Sequence, residues 1–232
     1  TRAAASEALS RLGLRRSDNV STIHALAFRG SSMRQSQVVD SMKLREFSTV
    51  MGVPIIGKSP EDDEERADGD FYLDIINYAR NTFNRPDDVY DISDRPGTRA
   101  EFNAFVCAYT EWKHTYGYYD FTDMLERAAA GAVRYDAEVI FVDEAQDLSP
   151  LQWAVIEKLA KRAHQVVISG DDDQAIYTWA GADAHGMARF TQKHKGVNTV
   201  LSQSHRLPAA VHARSQDLIR RIVLDRKSTR LN

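Results

Sequence analysis

Val139–Asp147 reads VIFVDEAQD, four apolar residues, three of them β-branched, that run straight into an acidic cluster. A short run of this kind, beginning at Ala137, suits a fully buried parallel strand. Downstream, Pro150–Ala163 has helical spacing, with Pro150 suited to the first turn. Gln165–Ser169 (QVVIS) is a second buried run that ends at Gly170 and three aspartates, and Thr199–Leu201 reads as a third strand. Two strand–acid–helix units in succession predict an α/β layer with carboxylates at the strand exits, the edge where open parallel sheets bind ligands.

Outward from this stretch the chain is helical in pattern. Ala3–Leu14 repeats its apolar positions at helical spacing before Gly13 offers a stop, and Ser21 or Thr22 is placed to cap a short helix through His24 and Phe28. Between Gln35 and Tyr116, the segments Val38–Val50, Asp70–Asn81 and Thr98–Tyr116 form helices separated by Gly, Pro and charged breakers. A helical segment therefore interrupts an α/β domain.

Composition bounds the reading. The 232 residues are 43% hydrophobic and 27% charged, ordinary globular values, and too polar in every window to span a bilayer as a helix. Thr1–Ser10 lacks the apolar core of a signal peptide, and a single cysteine, Cys107, permits no internal disulfide, so a reducing cytoplasm is the expected setting. Cys107 sits on an apolar helical pattern and reads as a buried thiol. The net charge of −3 gives no hint of nucleic acid, but Glu61–Asp70 alone carries −6 and the remainder is +3. That acidic run reads as a solvated loop or helix face. The seven histidines form no zinc-ligand array.

The candidate chemistry lies at the two strand exits. An ionised Asp143 can hold Mg²⁺ through oxygen, and the adjacent Glu144 can orient or deprotonate a water beside a nucleotide γ-phosphate. Gly170–Asp183 reads GDDDQAIYTWAGAD. Gln174 is a neutral group able to hydrogen-bond a phosphate or the attacking water. Tyr177 and Trp179 lie among small residues that suit the presentation of flat faces to single-stranded bases, although core packing also produces such a pair. Trp112 and Tyr116 read as core, Tyr118 and Tyr119 as packing or DNA-facing, and Lys193 and Lys195 as a loop that could meet phosphate.

Together these segments resemble the UvrD/Rep-type superfamily 1 DNA helicases. VDEAQDLSPLQ resembles that family's motif II, a Walker B variant, and GDDDQAIYTWAGAD its motif III; Leu201–Pro208 (LSQSHRLP) is similar to motif IV. Ser21–Arg29 (STIHALAFR), Thr1–Gly13 (TRAAASEALSRLG) and Asp120–Leu125 (DFTDML) match three further segments, all in the family's order across about residues 1–220. The resemblance implies a P-loop NTPase (RecA-like) parallel sheet flanked by helices, with an inserted, mostly helical subdomain. Residues 1–34 and 117–213 would form the ATPase domain and 35–116 the insertion, with 214–232 open between the start of a next domain and a non-native tail. Carried over by residue, Asp143 would bind Mg²⁺, Glu144 would activate water, Gln174 would sense the γ-phosphate of ATP and Arg206 would stabilise its charge. Tyr177 and Trp179 would stack on bases, and Thr22 and His24 would contact the DNA backbone.

Two residues depart from the family pattern. His205 stands where a tyrosine commonly sandwiches adenine, and Ile23 replaces the usual Phe. A larger departure is that no G-x-x-x-x-G-K-[ST] occurs in the chain; Gly57-Lys58-Ser59 lacks the preceding glycine. The expected phosphate loop would lie upstream of Thr1, and a second RecA-like domain beyond Asn232. The implied activity is ATP-driven movement on single-stranded DNA with unwinding at duplex junctions, with no membrane partner and an open oligomeric state. A catalytically incomplete binding module, or the motor part of a helicase–nuclease, are the alternatives.

Overall fold

A computed structural model describes residues 2–11, 13, 20–57, 66–93, 97–133, 135–201, 203 and 208–229. In chain order the helices are α1 (Arg2–Arg11), α2 (Ile23–Arg29), α3 (Ser41–Met51), α4 (Asp68–Asn81), α5 (Pro86–Asp91), α6 (Arg99–Tyr116) and α7 (Phe121–Ala129). Strand β1 (Val139–Val142), α8 (Pro150–Ala160), β2 (Gln165–Ile168), α9 (Gly186–His194) and α10 (Ala209–Thr229) follow. The chain is thus α/β, with a small parallel sheet among helices. No helix of the described residues is long and apolar enough to cross a membrane.

Local chemistry sets the helix limits. Thr22 caps α2, its hydroxyl accepting the Ala25 amide at 3.2 Å. Reciprocal capping boxes open α6 (Thr98 with Glu101) and α8 (Ser149 with Gln152, followed by Pro150). Gly117 closes α6 in the left-handed region at φ 65°, where a side chain would be strained. Asp70, the end of the acidic run, is not solvated: it is buried and accepts the amide of Ala67, the N-cap of α4, and those of Ile56 and Gly57 on the segment after α3.

Two hydrophobic cores result. One gathers Phe47, Tyr72, Ile75, Phe102, Phe105, Tyr109 and Trp112 from α3, α4 and α6. Each such side chain, fully buried, stabilises the fold by about 1.5–3 kcal/mol. The other gathers Ala27, Leu125, Val142, Leu151, Val155, Ile156 and Phe190 around the sheet. Where the chain passes between them its two crossings run side by side. Val38 and Tyr119 form a parallel bridge, with Tyr119 N–H donating to the Gln37 carbonyl and Val39 N–H to that of Tyr119.

A buried ion network joins the helices of the first core to α7. Arg80 of α4 donates to Asp120 (2.9 Å), Asp123 (2.5 Å) and Glu126 (2.8 Å). Lys113 of α6 donates to Asp120 (2.5 Å) and Asp123 (2.7 Å), and the Tyr109 hydroxyl also meets Asp120. Burial by itself would raise the Asp120 carboxyl, but the charges of Arg80 and Lys113 outweigh it and hold the group at about 2. Burial, then the carboxylates of Asp120 and Asp123, push the Tyr109 hydroxyl well upward.

Several sequence expectations change. β1 and β2 pair in parallel, Val142 opposite Ile168, but among the described residues only one face is covered. Ile140, Val142, Val166 and Ile168 turn to the core, whereas Phe141 is 76% exposed and Val139 and Val167 are exposed with it. Alternation rather than continuous burial is the outcome because, among the described residues, helices pack against one side of this sheet. Thr199–Leu201 is not a strand, and Val200 and Leu201 are exposed. Cys107 is exposed, since it falls on α6 between the inward Phe105 and Tyr109. Tyr116, one turn beyond the buried Trp112, is exposed as well. Helix α8 stops at Ala160, three residues short of the sequence reading.

Candidate functional site

Parallel pairing brings the exits of β1 and β2 to one edge. The ladder continues past the strands, with Ser169 N–H donating to the Val142 carbonyl (2.8 Å) and Ala145 N–H to that of Ser169 (3.0 Å). This registers Asp143 against Ser169, whose hydroxyl donates to Asp143 Oδ1 at 2.7 Å. Both Asp143 and Glu144 are exposed, while Ala145 and Gln146 behind them are buried. Glu144 adopts φ 52° and ψ 43°, a left-handed conformation uncommon outside glycine, held by the 3₁₀ turn Ala145–Asp147 that starts there.

A chain of hydrogen bonds runs from this residue into the second exit loop. Gln146 Nε2 donates to Glu144 Oε2 at 2.8 Å, and Gln146 Oε1 accepts the Asp171 amide at 3.1 Å. Gln174 Nε2 in turn donates to Asp171 Oδ2 at 2.6 Å. Gly170 makes the close approach feasible: a Cβ there would lie 2.7 Å from Gln146 Oε1 and 3.2 Å from the Ala145 amide nitrogen. Asp147 lies beneath, its Oδ1 buried without a hydrogen-bond partner, and burial, then the Glu144 charge, push its carboxyl upward.

Beyond Gln174 the loop turns through Tyr177–Ala180. Tyr177 and Trp179 are exposed rather than core, with ring centroids 6.5 Å apart at 48°. The loop is anchored on both sides: Asp183 N–H donates to the Leu148 carbonyl and its carboxylate pairs with Arg189. Gly181, at φ 91°, packs against Tyr78 and Thr82 of the α4 end.

The strand exits thus bring together Asp143, Glu144 and Gln174, with Tyr177 and Trp179 on the same loop. Thr22 and His24 occupy a different place. Thr22 caps α2, and half-buried His24 sets its ring edge-on against Phe121 of α7 at 5.7 Å, burial lowering its pKa. Among the described residues no hydrogen bond or ring contact joins these two to the strand exits. His205 and Arg206 lie outside the described residues. Tyr118 and Tyr119 pack, the first against Trp112 and Lys43, the second under Arg127. Lys193 pairs with Glu157 at 3.0 Å. Ser169 and the two-sided role of Gln146 were missed in the sequence; a hydroxyl and an amide, each next to an acidic cluster at a strand exit, were the available signal.

Asp143 and Ser169 supply one carboxylate and one hydroxyl, and no group of three His, Cys, Asp or Glu able to hold a metal ion occurs among the described residues. That donor set fits Mg²⁺, which keeps several waters and takes one or two carboxylates plus substrate phosphates, and does not fit a resident zinc ion.

The family model for the UvrD/REP helicase N-terminal domain matches residues 1–195. DNA helicase II of Haemophilus influenzae is 31% identical over 153 residues, 62% of this chain and 21% of that protein. The ATP-dependent DNA helicase PcrA of Leuconostoc citreum is 28% identical over 144 residues, 58% of this chain and 19% of that protein. DNA helicase II of Escherichia coli is 40% identical over 81 residues, 34% of this chain and 11% of that protein. The matched part of the chain spans about a fifth of the length of the first two relatives. With a match covering most of its length, and the acidic strand exits that its motifs require, the chain belongs to the UvrD/REP helicase N-terminal domain family.

Proposed function

We propose that this chain is the nucleotide-hydrolysing part of an ATP-dependent DNA helicase that moves on single-stranded DNA and separates strands at duplex junctions. The observation that carries the reading is the hydrogen-bonded path from Glu144 through Gln146 and Asp171 to Gln174, on the loop that exposes Tyr177 and Trp179. It ties a hydrolytic carboxylate to a pair of aromatic faces through few, short steps.

In this reading the α/β part is RecA-like, with residues 1–34 and 117–213 in the ATPase domain and 35–116 inserted. Asp143, held by Ser169, is the Mg²⁺ ligand; when bound, the ion neutralises charge on the transferring phosphoryl group. Glu144 takes a proton from a water whose oxygen bonds to the γ-phosphorus of ATP. The bond to the bridging oxygen breaks, and its electron pair leaves with the diphosphate. Gln174 hydrogen-bonds the γ-phosphate or that water. Arg206 and His205 act on the nucleotide by the family resemblance, Arg206 on the transferring charge and His205 at the base. Tyr177 and Trp179 stack on single-stranded bases, and Thr22 meets the DNA backbone. His24, kept neutral by burial, contributes there as a hydrogen-bonding group rather than as a cation.

The test is DNA-stimulated ATPase of the full-length protein that carries this chain. Glu144→Gln is expected to lower the rate by about 10²–10⁴-fold while leaving ATP and oligonucleotide binding intact. An unchanged rate would overturn the assignment.

A further inference from the structure

Gln146 is 3% exposed, at the centre of the strand exits, and both ends of its amide are used. Its orientation is fixed by its neighbours, because the Asp171 amide only donates and the Glu144 carboxylate accepts. The bond from Nε2 is the one hydrogen bond that the described residues give the Glu144 carboxylate. Glu144 is otherwise exposed, on a backbone in the left-handed region, so nothing else within the described residues selects a direction for its side chain.

Gln146 has little freedom of its own. Ala145 beside it is fully buried, with its amide bonded to the Ser169 carbonyl, and Gly170 leaves no space for a Cβ next to Gln146 Oε1. A buried amide held this way is a rigid arm for a mobile carboxylate, the arrangement by which supporting side chains fix reacting groups.

We propose that Gln146 is the positioning residue for Glu144, engaging Oε2 so that Oε1 is the atom left to take the proton from water. This rests on the reading of Glu144 given above. In this reading Gln146 does not itself meet the phosphate; its effect on proton transfer passes through Glu144, while its other end holds the Asp171 amide.

Gln146→Glu is the sharpest variant. It keeps the size of the side chain and the acceptor for Asp171 but replaces the neutral amide donor to Glu144 with a second carboxyl group. In the full-length protein, Gln146→Glu is expected to lower kcat of DNA-stimulated ATP hydrolysis by about 10- to 100-fold, with KM for ATP within about threefold of wild type. Placed on top of Glu144→Gln, the same change is expected to cost nothing further, because the group it serves is already gone. Gln146→Met, which removes both bonds, is expected to lower kcat at least as far.

Wild-type kcat in Gln146→Glu would overturn the proposal, and so would a loss repeated in full in the Glu144→Gln background. If Gln146→Glu raised KM for ATP together with the fall in kcat, the residue would be structural and the proposal also wrong. Should Glu144→Gln itself retain full activity, the reading of Glu144 fails; a dead Glu144→Gln beside a fully active Gln146→Glu would sink only the role given to Gln146.

Discussion

Removing Arg80 tests how the first core is fastened to α7. Its guanidinium meets three carboxylates, Asp120, Asp123 and Glu126, at 2.5–2.9 Å, and its side chain is 17% exposed. In Arg80→Leu, Lys113 is the cation that Asp120 and Asp123 keep, beside the Tyr109 hydroxyl and the capping amides, while Glu126, whose side chain is 43% exposed, can turn to water. Breaking a buried ion pair from one side costs about 3–5 kcal/mol, and the relief open to Glu126 places this case near the lower end, about 3 kcal/mol. The Asp120 carboxyl supplies a second handle. It is held at about 2 against an ordinary 3.8, which corresponds to about 2 kcal/mol of folding stability at neutral pH. Because the folded-state value is the lower one, that contribution is complete above about pH 4 and is lost as pH falls towards 2. Urea denaturation at pH 7 and at pH 3 measures both effects. Arg80→Leu should be less stable by about 3 kcal/mol at pH 7 and should lose less on acidification, because its Asp120 starts from a higher value. A variant within about 0.5 kcal/mol of wild type at pH 7 would refute the reasoning, since surface charges, not a buried network, behave that way.

Two further expectations follow from the exit loop. Tyr177→Ala and Trp179→Ala should each weaken binding of a single-stranded oligonucleotide by about 1–3 kcal/mol in fluorescence anisotropy, without shifting the melting temperature, because both rings are exposed. Gly170→Ala would push a methyl group to within 2.7 Å of Gln146 Oε1 and 3.2 Å of the Ala145 amide nitrogen, so it should cost about 1–3 kcal/mol in thermal denaturation and depress ATPase further.

The elements legible in the sequence are those fixed by neighbours along the chain. Thr22 announced its helix because a cap acts within three residues, Pro150 because its fixed φ suits a first turn, and VIFV and QVVI announced strands as short β-branched runs that end at turn residues. Thr199–Leu201 carried a similar local pattern, yet a strand also needs an adjacent edge, which no local pattern reports. Asp143, Glu144, Gln174, Tyr177 and Trp179 stand as candidates singled out by their motifs and their place at strand ends. The double bonding of Gln146 was not, because it depends on the register that sets Val142 opposite Ile168. Arg80 and Asp120 lie forty positions apart, and neither carries a local sign of the other.

The side-by-side passage of Gln37–Val39 and Tyr119 makes the helical segment between them a closed excursion, leaving and rejoining the sheet-bearing part at a single doorway. Because the two crossings run in parallel, a link that replaced residues 40–118 would have to double back along the bridge, and so needs a crossover rather than a tight turn. A minimised protein also meets a chemical obstacle. Cutting out Arg80 and Lys113 would strip Asp120, Asp123 and Glu126 of their cations and leave three like charges on one face of α7. A trimmed version therefore calls for neutral or basic replacements at those three positions, with Asp120 changed to Ser or Asn so that the cap of α7 survives.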